Sequence, residues 1–321
     1  MKAIQIDRHG GIEVLTYRDV TEQQPGPGEV QVRVEASGVN FIDIYRREGK
    51  YKVELPHIPG SEAAGTVTAV GEGVSRFQPG DRVAGASLTG SYAELLTAPQ
   101  DRLVHVPDGV DSQQAAAAML QGMTAHYLVN DTFKLSRGHT CLVHAAAGGV
   151  GLLLVQMAKR KGATVIGTVS TREKAERARQ AGADHVILYT EQDFVGEVTR
   201  LVGGGADVVY DSVGNTTFHG SLESLKRRGM LVLFGQSSGA VEPLDPAATL
   251  IKGSWFLTRP SLFHHIDTRE ELEARAADVL GQVAAEELHL RIDSVLPLAQ
   301  AAEAHRRLAA RESSGKLLLE P

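Results

Sequence analysis

The feature that most constrains the fold is a regular alternation of apolar strands and helical segments between His139 and about Gly235. Strands that are apolar throughout, each followed by a helix, are typical of a parallel sheet that helices cover on both faces, with right-handed crossovers. We therefore expect a doubly wound α/β domain. The predicted strands are TCLVH, ATVIGTV, HVIL, ADVVYD and MLVLFG, with a further one at Thr249–Phe256, and the predicted helices are Gly149–Lys161, Thr171–Ala181, Asp193–Val202 and Thr217–Lys226.

The first 120 residues follow a different pattern, in which short runs of alternating apolar and polar residues are separated by turns rich in glycine and proline. Strands this short and this closely spaced indicate a partly open β-barrel rather than a parallel sheet. The predicted strands are Lys2–Ile6, Glu29–Ala36, Gly65–Val70, Arg82–Ala84, Tyr92–Thr97 and Arg102–Val106.

The C-terminal residues leave the strand–helix alternation again. Two helices are predicted at Arg269–Ala285 and Leu298–Ala310, with a short strand between them and a last strand at Lys316–Leu319. Because this stretch no longer continues the parallel sheet, we expect it to return to the N-terminal domain. The 321 residues then form two domains, one of residues 1–121 with 262–321 and one of residues 122–261.

Composition excludes several classes of protein. The net charge of -6 gives no electrostatic reason to bind nucleic acid or an anionic membrane. Cys141 is the only cysteine, so neither an intramolecular disulfide nor a four-thiolate zinc site can form. The longest apolar run, Leu152–Ala158, is far shorter than a membrane helix, and the N-terminus has no apolar signal-peptide core. These features predict a soluble, cytoplasmic protein.

The stretch of residues 144–162 has the form of a dinucleotide-binding loop. It follows a predicted strand, opens a predicted helix, and aligns Ala146, Gly148 and Gly151 with the three glycines of G-x-G-x-x-G. Backbone N–H groups of Gly149 and Val150, at the start of the helix, would face the phosphates. A glycine-rich corner without a ligand is the alternative, and the surrounding strand–helix array argues against it.

The second predicted strand indicates which cofactor is bound. NAD-binding domains place an acidic residue near the end of this strand for the ribose hydroxyls. Here the strand ends with Ser170, followed by Arg172 and Lys174, and no acid stands at that position. Ser170 with Arg172 or Lys174 would bind a 2′-phosphate, so NADPH is favoured over NADH. The alternative is that the two basic residues only form a solvated helix start.

The chain as a whole resembles the zinc-free quinone oxidoreductases, the zeta-crystallin branch of the medium-chain dehydrogenase/reductases. The resemblance rests on GHTCLVHAAAGGVGLLLVQMAK at residues 138–159 and on an ordered set of shorter motifs. These motifs are ASGVNFIDIYRREG (36–49), PGSEAAGTV (59–67), GDRV (80–83), YDSVG (210–214), RRGMLVLFGQSSG (227–239) and TRPSL (258–262). The resemblance implies a GroES-like catalytic domain and an inserted Rossmann domain. It also implies homodimers joined through the edge strand of the Rossmann sheet, which here is Thr249–Phe256.

The resemblance also bears on the metal. Zinc-dependent relatives bind the catalytic ion with a cysteine at the position of Asn40 and a histidine at the position of Ser61, and neither ligand is present. With Cys141 inside a predicted strand, tetrahedral zinc with nitrogen and sulfur ligands is excluded. Without a Lewis acid, alcohol oxidation is disfavoured, and reduction of a quinone or an activated enone is expected instead.

The resemblance implies a set of site residues. Asn40 and Tyr45 line the nicotinamide pocket and Tyr51 lies at its mouth, as catalytic candidates, although each could instead be a turn or packing residue. His144 is expected to be a structural hydrogen-bond partner rather than a general acid. The predicted cofactor-binding residues are Asn40, Thr124, Ala146, Gly148, Gly149, Val150, Gly151, Ser170, Lys174, Tyr189, Ser212, Phe234, Gly235, Ser238 and Lys316.

Two other functions stay open at this point. An enone or enoyl-thioester reductase would use the same cofactor geometry, and the basic residues Arg46, Arg47, Lys50 and Lys52 could bind the phosphates of a thioester. A non-catalytic NADPH-binding protein, crystallin-like or RNA-binding, is the second alternative, and the net charge argues against RNA.

Overall fold

In the computed structural model, which describes all residues from 1 to 321, the chain divides into two compact units. The first unit consists of Met1–Met123 and His265–Pro321, and the second consists of Thr124–His264. The second unit is therefore one continuous segment, whereas the first is assembled from both ends of the sequence.

Fifteen strands and nine α-helices make up these units. The strands are β1 Lys2–Gln5, β2 Thr16–Asp19, β3 Glu29–Val39, β4 Glu62–Val70, β5 Arg82–Ala86, β6 Leu95–Pro99, β7 Val104–His105, β8 Thr140–Val143, β9 Thr164–Val169, β10 His185–Leu188, β11 Ala206–Asp211, β12 Leu225–Leu233, β13 Phe256–Thr258, β14 Ile292–Pro297 and β15 Lys316–Glu320. The helices are α1 Phe41–Arg47, α2 Ser112–Tyr127, α3 Gly149–Arg160, α4 Arg172–Gln180, α5 Phe194–Val202, α6 Phe218–Glu223, α7 Pro246–Leu250, α8 Arg269–Ala284 and α9 Ala301–Ala309.

The first unit is built on a seven-stranded sheet. Its strand order is β14-β15-β3-β4-β5-β7, with β6 also paired to β3, and only the β14–β15 pair is parallel. The last strand of the chain thus lies inside the sheet, where Leu317 is opposite Val39 and Leu319 is opposite Ser37. Alternating apolar residues of β3, β4, β5 and β6 form the core of this unit, and β1 and β2 form a separate hairpin.

The second unit is a six-stranded, fully parallel sheet in the order β10-β9-β8-β11-β12-β13. The parallel sheet expected from the strand–helix alternation is confirmed. The direction of winding reverses between β8 and β11, and open α/β sheets bind ligands beyond the carboxyl ends of the strands at such a point. The loops that follow β8, β9, β11 and β12 are therefore the first place to look for a site.

Two predicted elements are wrong. The segment Thr249–Phe256 is not a strand, because Asp245 and Pro246 start helix α7 before it. The Asp245 carboxylate accepts hydrogen bonds from the backbone N–H groups of Ala247 (2.9 Å) and Ala248 (3.3 Å), and proline is favourable at the first helical position. The edge strand is β13, at Phe256–Thr258.

The helix expected at Thr217–Lys226 is also too long. It ends at Glu223, because Leu225 already pairs with Ala206 across the β11–β12 ladder. Helical periodicity in the sequence continues into this strand and hides the boundary. Elsewhere in the chain, no helix combines the length and the apolar character that crossing a bilayer requires.

Candidate functional site

A tight loop between β8 and α3 forms the centre of the second unit. Ala145 adopts a left-handed backbone conformation with φ of 51°, and its carbonyl oxygen accepts a hydrogen bond from Gly148 N (2.8 Å). A Cβ at Gly151 would lie 2.2 Å from that same carbonyl oxygen, so only glycine lets α3 start this close to the loop.

The first turn of α3 has free backbone donors. No side chain caps the helix, and the N–H groups of Gly149, Val150 and Gly151 have no acceptor within the chain. Three N–H groups at a helix N-terminus, together with the positive end of the helix dipole, form a binding site for phosphate groups. The structure thus brings together Ala146, Gly148, Gly149, Val150 and Gly151 of the predicted cofactor-binding residues.

His144 directly follows β8, at the start of this loop, and connects it to β9, to helix α6 and, through α6, to β11. Its Nε2 is 2.9 Å from Ser221 Oγ and its Nδ1 is 2.8 Å from Thr168 Oγ1, while Ser221 Oγ donates to Asp211 Oδ2 (2.8 Å). All four side chains are buried, and burial lowers the pKa of His144 below its usual value, so the imidazole is neutral. Its hydrogen bonds agree with the structural role expected for it.

The Asp211 carboxylate extends this network to the next loop. It accepts hydrogen bonds from the backbone N–H groups of Val213 (2.8 Å) and Gly214 (3.0 Å) and from the Thr217 hydroxyl. The phosphate loop after β8 and the loop after β11 are therefore connected through one continuous chain of buried hydrogen bonds, with His144 at its centre.

The residues predicted to bind the adenosine end lie at the carboxyl ends of β9 and β10. Ser170 follows β9, and its carbonyl oxygen accepts a hydrogen bond from the Thr190 hydroxyl (3.1 Å) of the β10 loop. Lys174 lies in the first turn of α4, which Thr171 caps. Tyr189 follows β10 and is 43% exposed. Ser170, Lys174 and Tyr189 thus follow two neighbouring strands at one edge of the sheet.

The remaining predicted residues of this unit follow β11 and β12. A Cβ at Gly235 would lie 2.5 Å from the carbonyl oxygen of Ser212, so these two loops approach each other closely. Ser238 Oγ donates to the carbonyl oxygen of Val213 (2.7 Å), and Phe234 is half-buried. Thr124 is separate from these loops in sequence, near the end of α2, and is buried.

The first unit contains a buried polar cluster at the end of β3. Asn40 directly follows this strand and caps α1, and its Nδ2 donates to Glu62 Oε1 (2.7 Å). Lys316 Nζ donates to Asn40 Oδ1 (2.9 Å) and forms an ion pair with Glu62. Asn40, Glu62 and Lys316 are at most 5% exposed. The predicted residues Asn40 and Lys316, 276 positions apart, thus meet on a glutamate that the sequence analysis did not select.

Tyr45 and Tyr51 lie together at the C-terminal side of α1. Their rings are 5.5 Å apart in an edge-to-face arrangement, and the Tyr51 backbone N–H donates to the Tyr45 carbonyl oxygen (3.2 Å). Tyr45 is buried and Tyr51 is 38% exposed. The ammonium group of Lys50 lies 5.8 Å from the centre of the Tyr45 ring.

Asp43, also in α1, is the acceptor at the end of two hydrogen-bond chains. Ser61 Oγ donates to Asp43 Oδ1 (2.5 Å), Tyr92 donates to Asp43 Oδ2 (3.3 Å), and His305 Nε2 lies 3.1 Å from the Tyr92 hydroxyl. Because Arg47 can only donate, its contact with His305 Nδ1 (3.2 Å) places the imidazole proton on Nε2. Burial raises the pKa of Asp43 to about 6 and also raises the pKa of Tyr92.

Sequence reasoning missed Asp43, Glu62, Tyr92 and His305, although two of them left a signal. An acidic residue within the small, apolar run PGSEAAGTV is unusual and pointed to a buried, paired Glu62. Asn40 followed three residues later by Asp43 is the spacing of a helix N-cap, which the structure contains. Nothing local in the sequence connected Tyr92 or His305 to this cluster.

The protonation of His305 leads to a prediction about stability. Burial, and to a lesser extent Arg47, lowers its pKa from 6.5 to about 3. Below about pH 6.5 the unfolded chain therefore takes up a proton at this histidine, whereas the native state does not. This difference lowers the free energy of unfolding at pH 5 by about 2 kcal/mol relative to neutral pH. Asp43 has the opposite effect. Because its pKa is raised in the native state, the native state takes up a proton first, and this group adds stability as the pH falls from about 6 to about 4.

We expect His305→Gln to lose less stability than the wild type between pH 7 and pH 5. Urea unfolding at both pH values measures this difference. Glutamine keeps a donor and an acceptor but cannot titrate. An unchanged acid sensitivity in the variant would assign the effect to other groups.

The positions of zinc ligands in zinc-dependent relatives are occupied here by side chains with other partners. Asn40 contacts Glu62 and the Lys316 ammonium, while Ser61 donates to Asp43 and accepts a hydrogen bond from Arg46 Nη1 (2.9 Å). An amide and a hydroxyl are poor zinc ligands, and the two cationic groups would repel a divalent ion. These residues do not fit a zinc ion. No group of three or more His, Cys, Asp or Glu side chains in the chain is arranged to hold a metal.

Comparison with known proteins matches both units. Residues 26–108 match the alcohol dehydrogenase GroES-like domain, and residues 149–273 match the family described as zinc-binding dehydrogenase. A quinone oxidoreductase of Pseudomonas aeruginosa is 47% identical, with 100% of this chain and 99% of that protein covered. A 2-haloacrylate reductase of Burkholderia is 41% identical, with 99% and 98% covered.

The structural comparison agrees. A mycobacterial protein whose structure was determined in complex with NADPH superimposes with a TM-score of 0.97 and 48% identity, with both chains covered completely. The GroES-like and Rossmann architecture expected from the resemblance is confirmed. The chain belongs to the quinone oxidoreductases of the medium-chain dehydrogenase/reductase superfamily.

Proposed function

We propose that this protein is a quinone oxidoreductase that uses NADPH and needs no metal ion. The observation that carries the proposal is the 47% identity, over the full length of both chains, to a quinone oxidoreductase. The structure supports it with the uncapped helix N-terminus of α3, which offers three backbone donors to a diphosphate.

Residues of the second unit would hold the dinucleotide. The N–H groups of Gly149, Val150 and Gly151 bind the diphosphate, and the absence of a side chain at Gly151 allows the loop to stay close to the helix. NADPH, when bound, supplies a hydride from C4 of its nicotinamide. The buried hydrogen bonds of His144 to Thr168 and Ser221 hold the phosphate loop in place, and the imidazole stays neutral because burial lowers its pKa.

The first unit supplies the groups that we propose act on the acceptor. Asn40 is held by Glu62 and Lys316, so its amide keeps one orientation, and Tyr45 and Tyr51 form an aromatic surface for a flat quinone ring. Asn40 and Ser61 do not suit zinc, so stabilisation of the oxygen charge that develops on the quinone comes from hydrogen-bond donors of the chain.

Preference for NADPH over NADH is predicted to depend on Lys174. Replacing it with alanine removes the basic side chain that we assign to the 2′-phosphate, so we expect NADPH affinity to fall tenfold or more and NADH affinity to change by less than twofold. Fluorescence titration of both nucleotides with wild type and Lys174→Ala measures this. Arg179→Ala in the last turn of α4 serves as the control, and an unchanged NADPH affinity in Lys174→Ala contradicts the assignment of Lys174.

Reduction of an activated alkene is the second candidate function. The relative named 2-haloacrylate reductase favours it, because a haloacrylate is an electron-poor alkene. Steady-state oxidation of NADPH with 1,4-benzoquinone, 2-chloroacrylate and crotonyl-CoA separates the possibilities. We expect the highest kcat/KM for the quinone. A clear preference for either alkene would reverse the order of the two functions, and no turnover with any acceptor would favour a non-catalytic protein.

A homodimer and a cytoplasmic location stay predictions. We propose that two copies pair through β13 rather than through the segment 249–256 expected from the sequence. Support comes from Phe256 on this edge strand and from Ile251 just before it, which are 56% and 72% exposed. Sedimentation of the wild type and of Phe256→Glu tests the assembly, because a charge in an apolar interface favours the monomer.

A further inference from the structure

The two consecutive arginines of α1 have different surroundings. Arg47 is buried and fully engaged, since it donates to the Gly10 carbonyl oxygen (3.1 Å), contacts His305 and forms an ion pair with Glu48 (2.9 Å). Arg46 is half-buried and makes a single side-chain hydrogen bond, from Nη1 to Ser61 Oγ. Its Nε and Nη2 have no acceptor in the chain, and no carboxylate forms an ion pair with it.

Ser61 holds this guanidinium in place. The serine proton is donated to Asp43, which leaves the oxygen lone pairs for Arg46 Nη1. Asp43 itself already accepts hydrogen bonds from Ser61, Tyr92 and the Asn40 backbone N–H (2.9 Å), so its oxygens are satisfied without the guanidinium. Arg46 is thus oriented by a neutral group, and its charge is not neutralised by direct contact with an acid.

Burial sets the raised pKa of Asp43, but the charge of Arg46 lowers that pKa from the other side of the Ser61 hydroxyl, so Asp43 is one acidic neighbour of Arg46. The remaining groups near Arg46 are basic or neutral. His9 Nδ1 lies 3.1 Å from the Arg46 carbonyl oxygen, and the pKa of the buried His57 is lowered to about 4, by burial first and then by the charges of Arg46 and His9. His57 Nε2 is buried without a hydrogen-bond partner. A fixed guanidinium with two free donor positions in such surroundings is suited to an anion with two oxygens.

Arg46 also directly follows Tyr45, one of the two tyrosines proposed to carry the quinone ring. One turn further along the chain, Lys50 lies 5.8 Å from the centre of the Tyr45 ring and pairs with Glu48 (2.7 Å). Lys50, paired with Glu48, thus brings one positive charge next to the aromatic pair of Tyr45 and Tyr51, in a protein whose net charge is -6.

We propose that Arg46 binds a carboxylate or sulfonate substituent of the acceptor, so that the enzyme prefers anionic quinones over neutral quinones of the same ring system. This inference rests on the proposed function and specifies its substrate class. Arg46 is then a specificity-determining residue, and a guanidinium that binds a substituent in both ground and transition states acts mainly on KM.

The test compares 1,4-naphthoquinone with 1,4-naphthoquinone-2-sulfonate in wild type, Arg46→Leu and Arg46→Lys, with NADPH as the reductant. The ratio of kcat/KM values for the two acceptors, compared between variants, cancels their different intrinsic reactivity. We expect Arg46→Leu to lower this ratio tenfold to a hundredfold, mostly through the KM of the sulfonate, and Arg46→Lys to restore part of it. The preference should also weaken as ionic strength rises.

Arg33→Leu is the matched control. It removes the same charge from an exposed position of β3, seven residues before Asn40 and so roughly 20 Å along the strand. It should leave the ratio unchanged. If Arg46→Leu slows both acceptors equally, or if Arg33→Leu has the same effect, the inference is wrong although the proposed function stands.

Direct binding separates this inference from the proposed function. Calorimetry with naphthalene-2-sulfonate, which cannot be reduced by the enzyme, should give tenfold weaker binding to Arg46→Leu than to the wild type, with the melting temperature of each protein as a check on folding. Equal affinities overturn the inference. A wild type that binds the sulfonate through Arg46 but reduces neither quinone would instead contradict the proposed function alone.

Discussion

Gly151→Ala is expected to reduce NADPH affinity by a hundredfold or more. The new Cβ would lie 2.2 Å from the carbonyl oxygen of Ala145 and 2.9 Å from two backbone atoms of Ala146. Because these neighbours are backbone atoms next to a strand, they cannot rotate away, and α3 must move relative to the phosphate loop. Overpacking of this kind also costs about 1–3 kcal/mol of folding free energy. Fluorescence titration with NADPH and thermal unfolding without it measure the two effects separately.

Gly281→Ala provides the control for this substitution. Gly281 lies in α8, and a Cβ there would meet no atom within 4 Å. Alanine is the better helix former, so this variant should be as stable as the wild type or slightly more stable, with unchanged NADPH affinity. Normal NADPH binding by a folded Gly151→Ala protein would show that the nucleotide does not use this loop.

Lys316→Met is expected to be the most destabilising of the single substitutions in the first unit. It removes the cationic partner of Glu62 from a site where both side chains are almost completely buried. Glu62 would keep hydrogen bonds from Asn40 Nδ2 and from the Leu120 backbone N–H (2.7 Å), but no compensating charge. Leaving one member of a buried ion pair unpaired costs about 3–5 kcal/mol, which urea unfolding detects as a lower midpoint.

A double variant distinguishes the ion pair from other effects of Lys316. Glu62→Gln removes the orphaned charge, so Glu62→Gln with Lys316→Met should recover much of the lost stability. Lys2→Met, which breaks the exposed pair with Asp19, should change the unfolding midpoint little. A double variant no more stable than Lys316→Met would mean that the ion pair does not hold this cluster together.

The fold of the second unit was predictable because its signals are local. Most strands of the parallel sheet contain a continuous apolar run, and the observed strands β10 and β11 have the predicted bounds. One of the two errors arose from a competing local signal, and the other arose from pairing with a different strand. Asp245 and Pro246 start a helix inside an apolar segment, and Leu225 is drawn into a strand by its pairing with Ala206.

The polar cluster of the first unit could be predicted only in part. Asn40 was selected because it matched a motif. Gly151, in the second unit, was selected because the spacing of the glycines indicates where the backbone is crowded. Glu62 contacts Lys316, and Tyr92 contacts His305, across segments that are far apart in the sequence, so no pattern along the chain reveals these contacts. The resemblance to a family supplied Lys316, but its contact with a buried glutamate became visible only when β15 was placed beside β3.

The interior position of β15 has a consequence for biosynthesis. This strand pairs with β3, which the ribosome makes about 280 residues earlier, whereas the second unit needs only the contiguous segment 124–264. The parallel sheet can therefore acquire its native pairing while translation continues. The nascent N-terminal sheet, by contrast, presents an unsatisfied β3 edge until β15 is synthesised, and such edges recruit foreign strands. A holding chaperone that protects this edge would be needed most at high expression levels.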